Sequence, residues 1–394
     1  VDRLSYDAAA GTTPSATASA GEARGDAARG VTPGFRDEVR AFLSEHAPHG
    51  LPSLDTAEGN LLHREWERQL YDARLAAVSW PAEFGGRDAS LMDWLTFEEE
   101  YWAADAPIRV GQNGLFLLAP TLFAHGTAEQ LARHLPGMAR ADDVWAQAWS
   151  EPEAGSDLAA IRSAATKVDG GWTLHGQKTW SSRAAFADKA FGLFRSSGER
   201  HRGLTYVMFE LRQPGVTVRP IEQLNGETGF AEIFLDGAFV ADEDVIGEPG
   251  EGWKIAMGTA SHERGLSLRS PGRFVATARR LIALWREHGS DPLLRDRVAD
   301  CWIKAHAYQQ HTFQTVARLN AGGHLGAESS AGKVFWSELD IALHETALDV
   351  LGPSAELANR WTDGYLFSLA GTIYAGTNEV QRNVIAERLL GLPR

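Results

Sequence analysis

The chain has 394 residues, 44% of them hydrophobic and 23% charged, with 38 Lys plus Arg against 52 Asp plus Glu, a formal charge of −14. That is the composition of a globular protein of two or three domains or layers, and so acidic a balance argues against a general nucleic-acid or anionic-membrane surface. One cysteine, Cys301, excludes an internal disulfide and a Cys-rich metal site, so no metal is expected and the cytoplasm is the expected compartment.

Residues 1–30 are rich in Ala, Gly, Ser and Thr and poor in large apolar side chains, which reads as a disordered tail. The segment lacks an apolar h-region, and its four acids against three arginines make a poor transit peptide. Thr32-Pro33 reads as an N-cap with proline at the first helical position, followed by Phe35, Val39, Phe42 and Leu43 at helical spacing. A second helical pattern covers about 62–78, and Trp80-Pro81 opens the loop PAEFGGRDAS. Residues 91–146 are again mostly helical, with Glu98-Glu99-Glu100 expected on a solvated face. The span 31–146 is therefore expected to be an N-terminal α domain.

From 147 to 246 the character changes to a central β domain. TWSS, LTYVMFEL, VTVRPI and AEIFL have the β-branched and aromatic content of strands, with turns expected at Asp169-Gly170, Pro214-Gly215 and Asp236-Gly237. From 247 to 394 helical patterns return over about 253–287, 292–321, 327–351 and 377–390. No run is long enough to span a membrane. Helix, sheet, helix in chain order predicts an α+β, mainly α protein: a small β-barrel-like domain between an N-terminal helical domain and a C-terminal helical bundle.

Residues 147–157, QAWSEPEAGSD, carry a small backbone, a hydroxyl and free N–H groups, which suit a diphosphate, although an ordinary turn reads equally well. Residues 178–183, KTWSSR, place an indole and two hydroxyls at the end of a β segment; with thirteen tryptophans in the chain, a structural aromatic is the competing reading.

Together AWSEPEAGSD (148–157), GWTLHGQKTWSS (171–182), VIGEPGEGWKIAM (245–257) and IYAGTNEVQRNVIAERLLGLPR (373–394) resemble the acyl-CoA dehydrogenase family over about 33–394. The resemblance implies FAD between the β domain and the C-terminal helices. Trp149 and Ser150 would lie at the pyrimidine edge of the flavin, Ser156 at the pyrophosphate and the substrate, Trp180 against the ring system and Ser182 near N5. Thr377 and Glu379 would line the final loop. Leu351-Gly352 resembles a turn that reaches a neighbouring subunit's FAD, which implies a homodimer or homotetramer. The family's Arg-x-x-Phe-Gly stretch is missing: the region reads SDPLLRDRVADCWIK, leaving Arg295 or Arg297 as the adenine-end guess.

The implied reaction removes an α-proton from an acyl thioester, carried by CoA or an acyl-carrier protein, while the β-hydrogen leaves as hydride to flavin N5. An electron-transfer flavoprotein is the implied acceptor. A partly desolvated carboxylate suits the base. Many family members place it where Ala375 stands here. A smaller set carry it on the first helix after the β domain, just before an arginine, and there this chain has Glu263-Arg264. Glu263 is therefore the expected base and Arg264 a substrate contact. His262, about 100° away on a helix, is the weaker candidate. Ala375 keeps its backbone N–H for the thioester carbonyl, and the missing side chain frees volume beside Tyr374 for a bulky acyl group. Two other readings remain, a flavin oxidase or monooxygenase on the same scaffold and a non-catalytic subunit of a heteromeric dehydrogenase.

Overall fold

A computed structural model describes residues 16–264, 270–323 and 325–393, with 16–21 and 261–264 described in backbone only. The N-terminal helices are α1 (Ala16–Arg29), α2 (Phe35–His46), α3 (Ala57–Asp72), α4 (Leu91–Ala103), α5 (Ala119–His125), entered through a π-helical turn at Gly114–Leu118, and α6 (Ala128–Ala139). Capping boxes start α4 at Ser90 and α6 at Thr127.

Three expectations change in this layer. Of the tail expected over 1–30, residues 1–15 lie outside the described residues, residues 16–29 are helical, and Asp26 holds α1 to Arg36 of α2 at 2.7 Å. A small-residue helix with little apolar surface is secured here by charge pairing, which composition does not announce. The first apolar helix begins at Phe35 rather than at Pro33, because Thr32 spends its N–H and hydroxyl on Asp93 of α4, at 2.7 and 3.0 Å. Glu98-Glu99-Glu100 is not a solvated face: Glu98 and Glu100 are buried, and Arg36 and Arg40, one turn apart on α2, bind Glu100 from above. A buried acid run needs such cations, and they lie sixty residues away in sequence.

The strands are β1 (Trp145–Ala148), β2 (Ala164–Val168), β3 (Gly171–Ser182), β4 (Lys189–Arg195), β5 (Leu204–Glu210), β6 (Val216–Ile221), β7 (Phe230–Ala241) and β8 (Val245–Ile246). They form one sheet of order β6-β7-β3-β2-β4-β5-β8, with β1 parallel to β4. Asp236-Gly237 is not a turn. It is an irregularity inside β7 where the register against β3 slips, with Gly237 at φ +77° supplying the left-handed residue.

The C-terminal helices are α7 (Gly252–Arg264), α8 (Pro271–Glu287), α9 (Pro292–Asn320), α10 (Glu328–Leu351), α11 (Arg360–Ala370) and α12 (Asn378–Val384), the last running into a π-helical turn at Ile385–Leu389. The single helix expected over 253–287 is two. Ser270 caps α8 by accepting from the Gly272 N–H, and Pro271 fills its first position. α8 packs on α4, joining the two helical layers, while α7 lies on β5, α5 and α10. One core cluster runs through all three parts, from Trp80 and Leu118 through Trp145, Trp149 and Tyr206 to Ile255 and Ala260.

Candidate active site

The loop after β1 is held from beneath. Lys178, fully buried on β3, donates to Glu151 at 2.8 Å, to the Trp149 carbonyl at 3.2 Å and to the Leu193 carbonyl at 2.7 Å. Glu151 in turn accepts the backbone N–H groups of Arg162 (2.6 Å) and Ser163 (2.9 Å), closing the loop from 151 to 163. Burial pushes the Lys178 ammonium down to about 8 against the pull of Glu151. Burial also pushes Glu151 up, but Lys178 and the Arg162 N–H outweigh it and hold this carboxyl below its ordinary value. Both residues fall inside the motif stretches of the sequence, which assign them no role; a Lys inside an alternating strand is the available signal.

β3 then breaks its register between Lys178 and Ser181, and Trp180 takes φ +58°. Such a bulge re-aims a side chain. The Trp180 indole is consequently 60% exposed between the buried Thr179 and Ser181, with the Phe230 ring perpendicular to it at 6.0 Å. The Thr179 N–H donates to the Ser150 carbonyl at 2.9 Å, so the bulge and the loop are one unit. The structure therefore brings Trp149, Ser150, Trp180 and Ser182 together.

Ser156 is exposed at the outer end of the loop, and a Cβ on Gly155 would meet nothing within 4 Å. The neighbouring Asp157 is paired with Arg200 at 2.9 and 3.0 Å, which neutralises the charge that would otherwise oppose a phosphate. Trp149 is buried and its indole N–H has no hydrogen-bond partner among the described residues. An unspent donor, an exposed flat indole and an open hydroxyl-bearing loop fit a large planar cofactor with an anionic tail.

Trp149 also joins this unit to α7. Its ring meets Tyr206 of β5 edge-on at 6.2 Å, the Tyr206 hydroxyl lies 3.4 Å from the Thr259 hydroxyl, and Thr259 lies 2.6 Å from Thr121 of α5. Glu263 stands one helical turn beyond Thr259, about 6 Å along the axis. The Glu263 and Arg264 backbones close α7; their side chains, like that of His262, lie outside the described residues.

Ala375 belongs to a separately anchored turn. Ala375 and Gly376 both take positive φ, +58° and +82°. Thr377 caps α12 by accepting from the Val380 N–H, and Asn378 and Gln381 are buried. The Asn378 carbonyl oxygen accepts from the buried Lys333 of α10 at 2.7 Å and from Ser337 at 3.1 Å, while the Gln381 amide reaches the Ala375 and Gly376 carbonyls. Tyr374 stacks on Trp336 at 6.0 Å. α10 is the common neighbour of α12 and α7. Glu379 is fully exposed at the helix start, where its own N–H and the Thr377 hydroxyl hold its carboxyl below its ordinary value.

The remaining expected residues are elsewhere. Gly352 ends α10 at an exposed position with φ +55°. Arg297 is paired with Asp349 and Arg295 with Asp296, both on the surface. No cluster able to hold a metal occurs among the described residues, and no helix of the described residues is long and apolar enough to cross a membrane.

Three family models match in this order: the acyl-CoA dehydrogenase N-terminal domain over residues 33–142, the middle domain over 146–238 and the C-terminal domain over 250–390. The chain belongs to the acyl-CoA dehydrogenase family, whose members are flavin-dependent. It is similar to the acyl-CoA dehydrogenase IpdE1 of Mycolicibacterium smegmatis, 38% identical over 387 residues, covering 91% of this chain and 97% of that protein. Among solved structures it is similar to the Tcur3481-Tcur3483 steroid ACAD, with TM-score 0.83 and 25% identity over 93% of this chain and 98% of that one. It is also similar to the ChsE4-ChsE5 complex from Mycobacterium tuberculosis, with TM-score 0.78 and 28% identity over 91% and 97%. The protein is an acyl-CoA dehydrogenase.

Proposed function

We propose that this dehydrogenase forms a 2,3-enoyl thioester from a bulky acyl-CoA, with FAD as its flavin and Glu263 as its base. The observation that carries the reading is the path Ser150–Trp149–Tyr206–Thr259, which seats the helix of Glu263 against the loop suited to the cofactor. Bound there, FAD supplies the acceptor for the β-hydrogen and its two electrons. Trp180 and Ser182 present an indole face and a hydroxyl to its ring system, Trp149 and Ser150 its polar edge, and Ser156 its diphosphate. Glu263 takes the α-proton, Arg264 faces the substrate's anionic groups, and the Ala375 N–H, fixed by the turn that Asn378 and Gln381 hold, donates to the thioester carbonyl. The small side chain at 375 leaves room for a bulky acyl group, and the likeness to a steroid ACAD supports that class.

A second chain is a specific alternative for the assembly. Two similar structures, Tcur3481-Tcur3483 and ChsE4-ChsE5, are named as pairs of proteins, and the arginines at 295 and 297 are already spent in surface pairs. In that reading a partner completes the adenine end of the site near Gly352, and an electron-transfer flavoprotein takes the electrons.

The test is anaerobic reduction of the purified yellow protein by a panel of acyl-CoAs. Bleaching is expected with a bulky thioester and should fall at least about 10²-fold in rate in Glu263→Gln, while the distant control Glu45→Gln retains it. Equal bleaching in Glu263→Gln sinks the assignment of the base. Flavin reduction only by a reduced nicotinamide points instead to a monooxygenase, and flavin retained only after co-expression with a second subunit points to the heteromer.

A further inference from the structure

Away from these loops, a cleft opens between α4, α8, α10 and α11, lined by Trp102, Arg273, Arg280, His344, Arg360 and Trp361. Three guanidinium groups face two carboxylates. Asp105 binds Arg360 in a two-pronged grip, at 2.8 and 3.0 Å, and Arg280 at 3.1 Å; Asp340 binds Arg273 at 2.7 Å. Among these five groups of the described residues one positive charge is in excess, and Glu98, which accepts from the Trp102 indole N–H at 3.1 Å, is pushed by burial up to about 7. In this cleft Trp361 and His344 are buried and Arg273 and Arg280 are largely covered. The His344 ring is pressed against the α11 backbone: a Cβ on Gly364 would lie 2.3 Å from it. We propose that this cleft is a binding site for a small carboxylate with an apolar body.

The chemistry follows from the walls. Guanidinium forks match a planar carboxylate, as Asp105 already demonstrates with Arg360, while the two tryptophans add apolar wall to the cleft. The unbalanced charge is felt within the cleft. Burial, with Arg360 and Arg273 against the pull of Asp105, pushes the Arg280 guanidinium down to about 10. Burial pushes Asp105 up, but Arg360 and Arg280 outweigh it and hold the carboxyl below its ordinary value. An added anion relieves the repulsion among the three cations.

Two sources can supply the carboxylate: a free acid, or the far end of the acyl group being oxidised. The second is favoured by proximity. The Arg273 guanidinium lies 5.7 Å over the Phe367 ring, and Phe367 lies 6.2 Å from Tyr374, the residue before Ala375. Only this second source rests on the proposed dehydrogenation.

The experiment has two arms on the full-length flavoprotein. In the first, adipate binding is measured by isothermal titration calorimetry, which needs no turnover. In the second, kcat/KM for adipoyl-CoA is compared with that for hexanoyl-CoA, a thioester of equal length ending in methyl. Saturable adipate binding with no preference between thioesters identifies a free acid; a preference for adipoyl-CoA identifies the acyl terminus. Either effect should weaken about tenfold or more in Arg280→Gln, recover in part in Arg280→Lys, and strengthen in Asp105→Asn, which removes the competing internal acid. Hexanoyl-CoA turnover should not change in these variants. Absence of both effects in the wild-type protein overturns the proposal, as does binding that ignores Arg280→Gln and Asp105→Asn alike. The opposite signs expected of those two substitutions keep the test decisive even where one of them fails to fold.

Discussion

Replacing Glu151 with glutamine tests whether the buried Lys178–Glu151 pair fastens the cofactor loop. The substitution leaves the Lys178 ammonium with two backbone carbonyls and no counter-charge, and weakens two backbone N–H contacts to the 151 side chain. With Lys178 already pushed down to about 8, shedding its proton at pH 7 costs about 1.4 kcal/mol, one unit of pKa, which limits the purely ionic loss. Weakening two charge-assisted hydrogen bonds adds about 1–2 kcal/mol, so the expected loss near pH 7 is about 2–4 kcal/mol. The pH dependence carries the sharper signature. A lysine whose folded pKa is lowered binds fewer protons folded than unfolded, so wild-type stability rises with pH from about 8 toward the ordinary lysine value of 10.5. In Glu151→Gln that rise begins at lower pH, because the folded pKa of Lys178 falls further. The gap between the two proteins should therefore be widest below pH 8 and narrow by about 1 kcal/mol or more by pH 9. Urea unfolding followed by tryptophan fluorescence at pH 6.5 and 9 measures it. A gap that is constant or widens with pH refutes the reasoning.

Ala375→Gly keeps the N–H assigned to the thioester carbonyl, relaxes the +58° backbone and should stay within a few-fold in kcat while raising stability by up to about 1 kcal/mol. Steady-state kinetics and thermal melts measure both outcomes, and a kcat loss of about 10²-fold or more in Ala375→Gly would mean that the alanine methyl and not the N–H matters. Asn378→Leu strips Lys333 of a 2.7 Å acceptor and should cost about 1.5–3 kcal/mol in urea unfolding; a lowered kcat with little change in flavin content is the expected companion, since the turn it anchors carries the proposed carbonyl donor and none of the proposed flavin contacts at 149–182.

Much of this architecture was legible because apolar periodicity and turn chemistry are local. VTVRPI is strand β6 to the residue, and the patterns over 292–321 and 327–351 lie within a residue of α9 and α10 at each end. What escaped depends on partners far off in sequence. Glu98 and Glu100 look like a solvated run until Arg36, Arg40 and the packing of α8 are seen. The helix over 253–287 looks continuous because its apolar spacing is; Pro271 was the signal that it is not. At the site, the motif loops were found from their residues and from the family they resemble. The Lys178 staple, the Trp180 bulge and the Asn378–Lys333 anchor were not, since each joins segments that only the folded sheet and bundle bring near.

The Asn378–Lys333 anchor has a consequence for how the molecule is made. The segments suited to flavin lie at 149–157 and 178–182, in a domain whose strands are all complete by residue 246. The turn that carries Ala375 is locked only when Asn378 reaches the amine of Lys333 and the hydroxyl of Ser337. Lys333, Ser337 and Asn378 all follow the last strand in chain order. A growing chain can therefore pair the strands around 149–157 and 178–182 before the groups that lock the Ala375 turn have been added, so the sheet and the turn are secured by separate contacts made at separate times.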